Sequence, residues 1–482
     1  MKVKLFSPNV RALAANKLGV AGAVRAIAAL SEALADDDAQ VRARASAALG
    51  EIGIPAVRTL IRCLSNLNAH VREASAQALG YIGPIAEEAI PPLIHRLSDK
   101  SPAVRAAATR ALGAMGNLAH DAVPALIVQL QKKERQVSQH AAATLGQIGL
   151  DASTAFLPLI DCLSDSDRDL RDAAARALGR IGTASKEFIP LLIQRLFHEE
   201  SNVREAAAVA LGKIGPAASD AVFALNQHLS DPIRAVREAA TTALGEIGTA
   251  SLASLPELIR RLQDKDWAVR HAAAQTLGVL GPAAARAVPQ LTVAANDVSG
   301  KVRLAAIETL SNLGLQAGIA APVFFERLGD KYISVQYAAV KALGKIGPSA
   351  KHWIPGLIQL LSAAEPTARA IAANALAEIG SLATDAIPAL FERLNDEHGT
   401  VSEAAAKAIG RIGFSPKRYL PEILDKLNSG RPPDRQCAAR VLGDIGPAAS
   451  EAVPVLLLHL TDKDKSVREA VETALAQIRP KW

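Results

Sequence analysis

The stretch Val203-Arg204-Glu205-Ala206-Ala207-Ala208-Val209-Ala210-Leu211-Gly212-Lys213-Ile214-Gly215 decides the fold, because it recurs. From Val71 to Val467 the same landmark, Val-Arg-x-Ala-Ala-x-x-Ala-Leu-Gly-x-Ile-Gly, returns thirteen times on a 33-residue step. Two looser copies precede it, starting at Val10 and Val41. Self-similarity at a fixed period of 20 to 50 residues marks stacked units, each unable to bury its apolar face without a neighbour.

One unit, Gly83 to Gly116, shows how the pattern folds. Pro84 to Leu97 reads as a first helix, with one looser turn before Pro91, whose missing amide hydrogen starts or kinks the main stretch. Proline returns on the same grid at 124, 190, 256, 289, 322, 355, 388, 421 and 454. After a turn, Ala103 to Met115 reads as the second helix. Its apolar positions Val104, Ala107, Ala108, Ala111, Leu112 and Met115 share one helical face. Gly116 ends it as a left-handed C-terminal residue. Gly113, in the last turn, costs about 1 kcal/mol of helix propensity and is expected to permit close helix approach.

Arginine follows the landmark valine in 12 of 15 copies, and aspartate precedes it by five residues at 36, 99, 231, 264, 297, 330, 396 and 462, among others. An active site occurs once, whereas these residues recur along the chain. They are therefore read as helix-turn devices: Asp capping the second helix or accepting from Arg, and Arg bridging to the next repeat.

Composition agrees. Half of the residues are hydrophobic but only 3% are aromatic, and alanine makes up much of the difference, which favours close helices over strands. The net charge of +6 is too small for a nucleic-acid footprint. Cys63, Cys162 and Cys437 lie three or more repeats apart, too far for a disulfide or a shared metal, and free thiols fit a reducing compartment. No signal-peptide core follows Met1, and no apolar run approaches 18 residues without a charge or breaker. A cytoplasmic protein with no cofactor, no metal and no membrane partner is expected. One solenoid should fill residues 1–482, with a capping half-repeat at about 1–20 and 33-residue repeats at about 53–479. The helices Pro8 to Gly19 and Ala470 to Gln477 read as water-facing caps.

This tandem hairpin, with Asp…Val-Arg…Ala-Leu-Gly-x-Ile-Gly and an early proline, resembles the HEAT repeat family, in the short alanine-rich style also found in phycobilin lyases. The resemblance implies an all-α fold, an α-solenoid superhelix of about fifteen hairpins, in which second helices line the concave groove. It implies no single function, since such arrays serve many roles. Deoxyhypusine hydroxylases are similar proteins that hold two irons through paired His-Glu motifs. Here a single His198-Glu199 falls in a turn, without a counterpart. Phycobilin lyases share the repeat style in shorter chains. The leading expectation is a non-catalytic protein-binding scaffold; the alternative is a phycobilin lyase-like enzyme or chaperone acting on a chromophore-bearing protein.

Function should lie where the repeat breaks. Positions two, six and ten after the landmark valine point into the groove on this reading. Tyr337, Lys341 and Lys345 then form one ridge. Leu304 and Glu308, then His271 and Gln275 beside Trp267, precede it. Five of the sixteen aromatics fall between 324 and 353 (Phe324, Phe325, Tyr332, Tyr337, Trp353), where Ser311 and Gln336 also replace the usual Gly and Arg. Trp267, His271, Gln275, Tyr337, Lys341 and Lys345 are the candidate protein-binding residues. Phe324, Phe325 and Trp353 are expected in the first-helix core. Groove charges elsewhere are mixed in sign, which disfavours nucleic acid. The turn Asn428 to Asp434, with Pro432-Pro433, is read as a surface turn.

Overall fold

Alanine-rich segments with apolar residues at helical spacing form helices because they lose little side-chain entropy and bury one stripe. The computed structural model describes residues 26–132, 134–182, 186–394, 396–413 and 416–478. No strand occurs among them. The landmark copy at Val10, the helix expected at Pro8 to Gly19 and the chain end at Arg479 lie outside the described residues.

The chain divides into two compact units, Met1–Ser254 and Leu255–Trp482. Each contains seven described second helices, from Ala39–Ile52 to Arg234–Ile247 in the first and from Trp267–Leu280 to Lys465–Ile478 in the second. Within a unit, successive second helices pack on one another as one layer, and each first helix packs on the second helix of its own hairpin.

In the specimen unit the second helix is Pro102–Ala114. All six apolar residues on its expected face are buried. Arg105 and Thr109 are buried as well, because a second helix has a neighbour on both flanks as well as its hairpin partner. The first helix departs from expectation. In place of one loose turn, Gly83–Ala89 forms a seven-residue 3₁₀ segment, broken at Ala86 (φ −94°, ψ 34°), before the α-helix Ile90–Arg96. Pro91 sits in the first turn of that α-helix, where its missing N–H costs nothing.

Two kinds of glycine hold this geometry. The closing glycine is left-handed as expected (φ 61° at Gly116), although Gly182 has φ −30°. The last-turn glycine lets backbones touch: a Cβ on Gly146 would lie 2.8 Å from Ala177 Cα, and one on Gly212 2.8 Å from Ala243 Cα.

The Arg–Asp pattern is a cross-repeat clamp. Arg303 donates through Nε to Asp330 Oδ2 (2.7 Å) and through Nη2 to Asp330 Oδ1 (2.8 Å), while Nη1 donates to the carbonyl of Asp297 (2.8 Å). The same fork joins Arg72 to Asp99, Arg204 to Asp231, Arg270 to Asp297, Arg369 to Asp396 and Arg435 to Asp462. The planar guanidinium thus ties its own turn to the next one. The aspartate does not cap the helix. It accepts from the amide two residues on, as Asp330 Oδ1 does from Tyr332 N (3.0 Å), and so shapes the turn. Where Arg is missing, its aspartate 27 residues on can be missing too, as at Gln336 with Ala363 and Ser402 with Ser429. The Asn428–Asp434 segment keeps the clamp through Arg435 and is a surface turn.

These carboxyls carry an acid sensitivity. At Asp396 and Asp462 the bidentate arginine dominates and holds the carboxyl below its usual range. At Asp99, Asp297 and Asp330 burial pulls upward, but the arginine and the turn amide outweigh it, with the same result. A carboxyl depressed on folding stabilises fully above its unfolded pKa, near 3.8 here, and that contribution is lost as pH falls through the folded value. The urea midpoint should therefore hold steady down to about pH 4.5 and then fall. Asp330→Asn should flatten part of that fall; an unchanged acid limb would rule out the clamp as its source.

Ser201–His228 is one helical stretch apolar and long enough to cross a membrane by length and composition, with 61% of its apolar window buried. It is the second helix of one hairpin and the first helix of the next, broken at Gly215 (φ 71°) and packed between neighbours.

Candidate functional surface

In the second unit, three successive second helices, Trp267–Leu280, Gly300–Leu313 and Ile333–Lys345, carry the candidate residues. Trp267 is the first residue of its helix and is 42% exposed, with its ring edge-on to His271 at 6.5 Å. Tyr337, 53% exposed, stands on one ridge with Lys341 and Lys345. Lys345 Nζ reaches Asn312 Oδ1 at 3.4 Å.

Two depressions open between these helices. One, of about 700 Å³, is lined by Trp267, Val298, Lys301, Leu304 and Tyr332, with Lys265 at its rim. The other, of about 410 Å³, is lined by Glu308, Asn312, Tyr337, Lys341 and Lys345. They share Leu304 and Ser334 and so form one continuous surface. Trp267, Tyr337, Lys341 and Lys345 therefore belong to it. His271 touches Trp267 but, like Gln275, lines neither depression.

Lys265, Val298, Lys301, Lys331 and Tyr332 are missed by a helix-face rule, because all but Lys301 occupy the turns before the landmark valines and Lys301 is only the second residue of its helix. The 33-residue grid carries a signal for them: Asp266, Ser299 and Tyr332 align, as do Trp267, Gly300 and Ile333. A Cβ at Gly300 would lie 2.5 Å from the Tyr332 ring, so the missing side chain seats that ring against the helix start. Cations cover the aromatic faces. Lys301 Nζ lies 5.0 Å from the Trp267 ring centre, Lys331 Nζ lies 5.0 Å from that of Tyr332, and the Arg303 guanidinium 5.6 Å from the latter. The walls are held by the clamps Arg270–Asp297 and Arg303–Asp330.

Phe324, Phe325 and Trp353 lie on the first-helix layer. Phe324 is fully buried, while Phe325 and Trp353 are half-buried and pack on each other with centroids 5.0 Å apart. A Cβ at Gly356 would lie 2.9 Å from Phe325, so that glycine makes room for the ring.

Among the described residues no group of three or more His, Cys, Asp or Glu could hold a metal ion. His198 Nδ1 accepts from the Glu200 amide (3.1 Å) in its turn. Burial pushes the Cys162 and Cys437 thiols up to about 11, which disfavours the thiolate.

Comparison with solved structures agrees with this architecture. Yeast importin-beta (Kap95p) matches with a TM-score of 0.66 at 16% identity, covering 94% of this chain and 71% of that one. The complex of Kap95 with Nup1 matches with a TM-score of 0.66 at 14% identity, covering 98% and 75%. At such identities the likeness is one of fold. No curated protein sequence matches the chain. The family model for PBS lyase HEAT-like repeats matches residues 335–363. That for HEAT repeats matches residues 4–80, 27–113, 57–141, 90–158, 156–232, 222–311 and 354–421, well over half of the sequence. With its repeated hairpins, its α-solenoid fold and these matches, the chain belongs to the HEAT repeat family.

Proposed function

We propose that this protein is a non-catalytic binding scaffold whose second-helix face, from Trp267 to Lys345, receives a protein partner. The observation that carries this is the continuous surface of exposed aromatics and lysines held by cross-repeat clamps. Aromatic anchors in a rigid frame lose little entropy on binding and dominate interface energetics. The solved complex of Kap95 with Nup1 is an example of this fold holding another protein. Three free thiols fit a reducing compartment such as the cytoplasm.

The test is a pair of exposed substitutions, Tyr337→Ala with Lys341→Glu, which leave the packed layer untouched. Cross-linking in the source cell should recover the partner at least tenfold less well with the double variant, at unchanged helicity. Undiminished recovery would remove this surface from consideration.

A phycobilin lyase-like enzyme or chaperone is the second reading, supported by the PBS lyase HEAT-like match at residues 335–363. Incubation with a bilin and an apo-phycobiliprotein separates the two. The scaffold reading expects no adduct and no spectral shift.

A further inference from the structure

We infer that the partner presents an acidic, extended segment carrying one apolar side chain, which seats between Trp267 and Tyr332. This rests on the scaffold reading above and specifies its ligand. Lys265, Lys301, Lys331, Lys341 and Lys345 surround the two depressions, and none is ion-paired among the described residues. Glu308 is the single acidic side chain in either lining. The turn acids are already used: Asp297 by Arg270 and Asp330 by Arg303.

Elsewhere on second helices some cations are neutralised within the protein, although exposed Arg110 and Arg176 are not ion-paired among the described residues. Lys213 pairs with Glu246 in the first unit, and in the second Arg411 pairs with Glu378 and Arg440 with Glu403. At Lys345 the corresponding neighbours are Asn312, 33 residues before, and Glu378, 33 residues after, which is engaged by Arg411. The positive charge between Lys265 and Lys345 is therefore open to a ligand, and an acidic chain complements it.

The apolar anchor follows from the floor. Val298 and Leu304 line, together with the Trp267 and Tyr332 rings, a depression of about 700 Å³, room for a leucine or an aromatic side chain. Extension follows from span. Three helices spaced at roughly 10 Å cover about 20 Å, which an extended peptide crosses in about six residues. Nucleic acid fits less well, since it binds by stacking bases on open aromatic faces, and here lysine and arginine lie over both rings.

The experiment is selection of random twelve-residue display peptides on the full chain, with a single-stranded oligonucleotide as a second probe. The expected winners carry Asp or Glu around one Leu, Phe or Trp. Their affinity should fall at least tenfold with Lys301→Glu/Lys331→Glu, fall at least tenfold with Trp267→Ser, and weaken as salt rises. Neutral or basic winners that are lost with Trp267→Ser would overturn the acidic assignment and leave the docking face standing. Winners indifferent to all three substitutions would overturn both. No enrichment at all, or salt-sensitive binding of the oligonucleotide alone, would overturn the peptide assignment.

Discussion

Arg303→Ala should cost about 3–5 kcal/mol, among the largest losses available to a single substitution in this protein. Arg303 is 5% exposed and Asp330 6%, and the carboxylate accepts both charged bonds of the fork. Removing the guanidinium leaves the buried carboxylate with the Tyr332 amide and Arg327 Nη1 at 3.6 Å, and strands two carbonyls, those of Asp297 and Val298. The cost of a buried carboxylate that has lost both bonds of its fork exceeds what the pair itself contributes. Because stacked repeats exchange stability with their nearest neighbours, the loss should be local before it is global. Amide exchange should accelerate first in the turns around Asp297 and Asp330. Lys301→Ala, on an exposed lysine two residues away, should leave both the melt and the exchange pattern unchanged. Equal effects from the two variants would remove the clamp's special role.

Gly344→Ala should destabilise, opposite in sign to helix propensity. Alanine is about 1 kcal/mol better than glycine inside a helix. At this site, however, a Cβ would lie 2.6 Å from the Glu378 carbonyl oxygen and 2.7 Å from Glu378 Cβ. Both atoms belong to the next second helix, so that helix must retreat. Overpacking of this kind costs about 1–3 kcal/mol. The equivalent residue one repeat on is Ala377, which is buried, so a methyl can be housed where the neighbouring helix stands off. A raised thermal midpoint for Gly344→Ala would show that the layer is softer than its geometry implies.

Much of the fold was legible because the repeat is redundant. The six apolar positions of the Gly83–Gly116 unit are all buried, and the closing glycine at 116 is left-handed, since both follow from helical period and backbone sterics. The reading failed locally at the start of the first helix. There seven residues wind as a 3₁₀ segment, although Pro84 and Pro91 had suggested a single loose turn. Aspartate's part was also misjudged as an alternative cap: it shapes the turn and receives the preceding repeat's arginine.

The candidate surface was legible in part. Tyr337, Lys341 and Lys345 stood out on a helix face and Trp267 as a rare aromatic in the adjoining turn, and they line the two depressions. Lys301, directly before the landmark valine, was not among the face positions read, and Tyr332 was noted only as one of the clustered aromatics because it stands in a turn. The seat of the Tyr332 ring depends on Gly300, which makes room for it.

The sequence by itself determined the period, the two-helix unit, the buried alanine and leucine stripe and the family, all properties of residues a few positions apart. Only the tertiary structure decided which arginine grips which aspartate 27 residues away, which lysines lie over which rings, and which cations lack an acid of their own. The reason is physical. Helical periodicity is written in local spacing, whereas charge pairing and ring burial depend on how closely one repeat settles on the next, and that distance is set by the glycines and alanines between them.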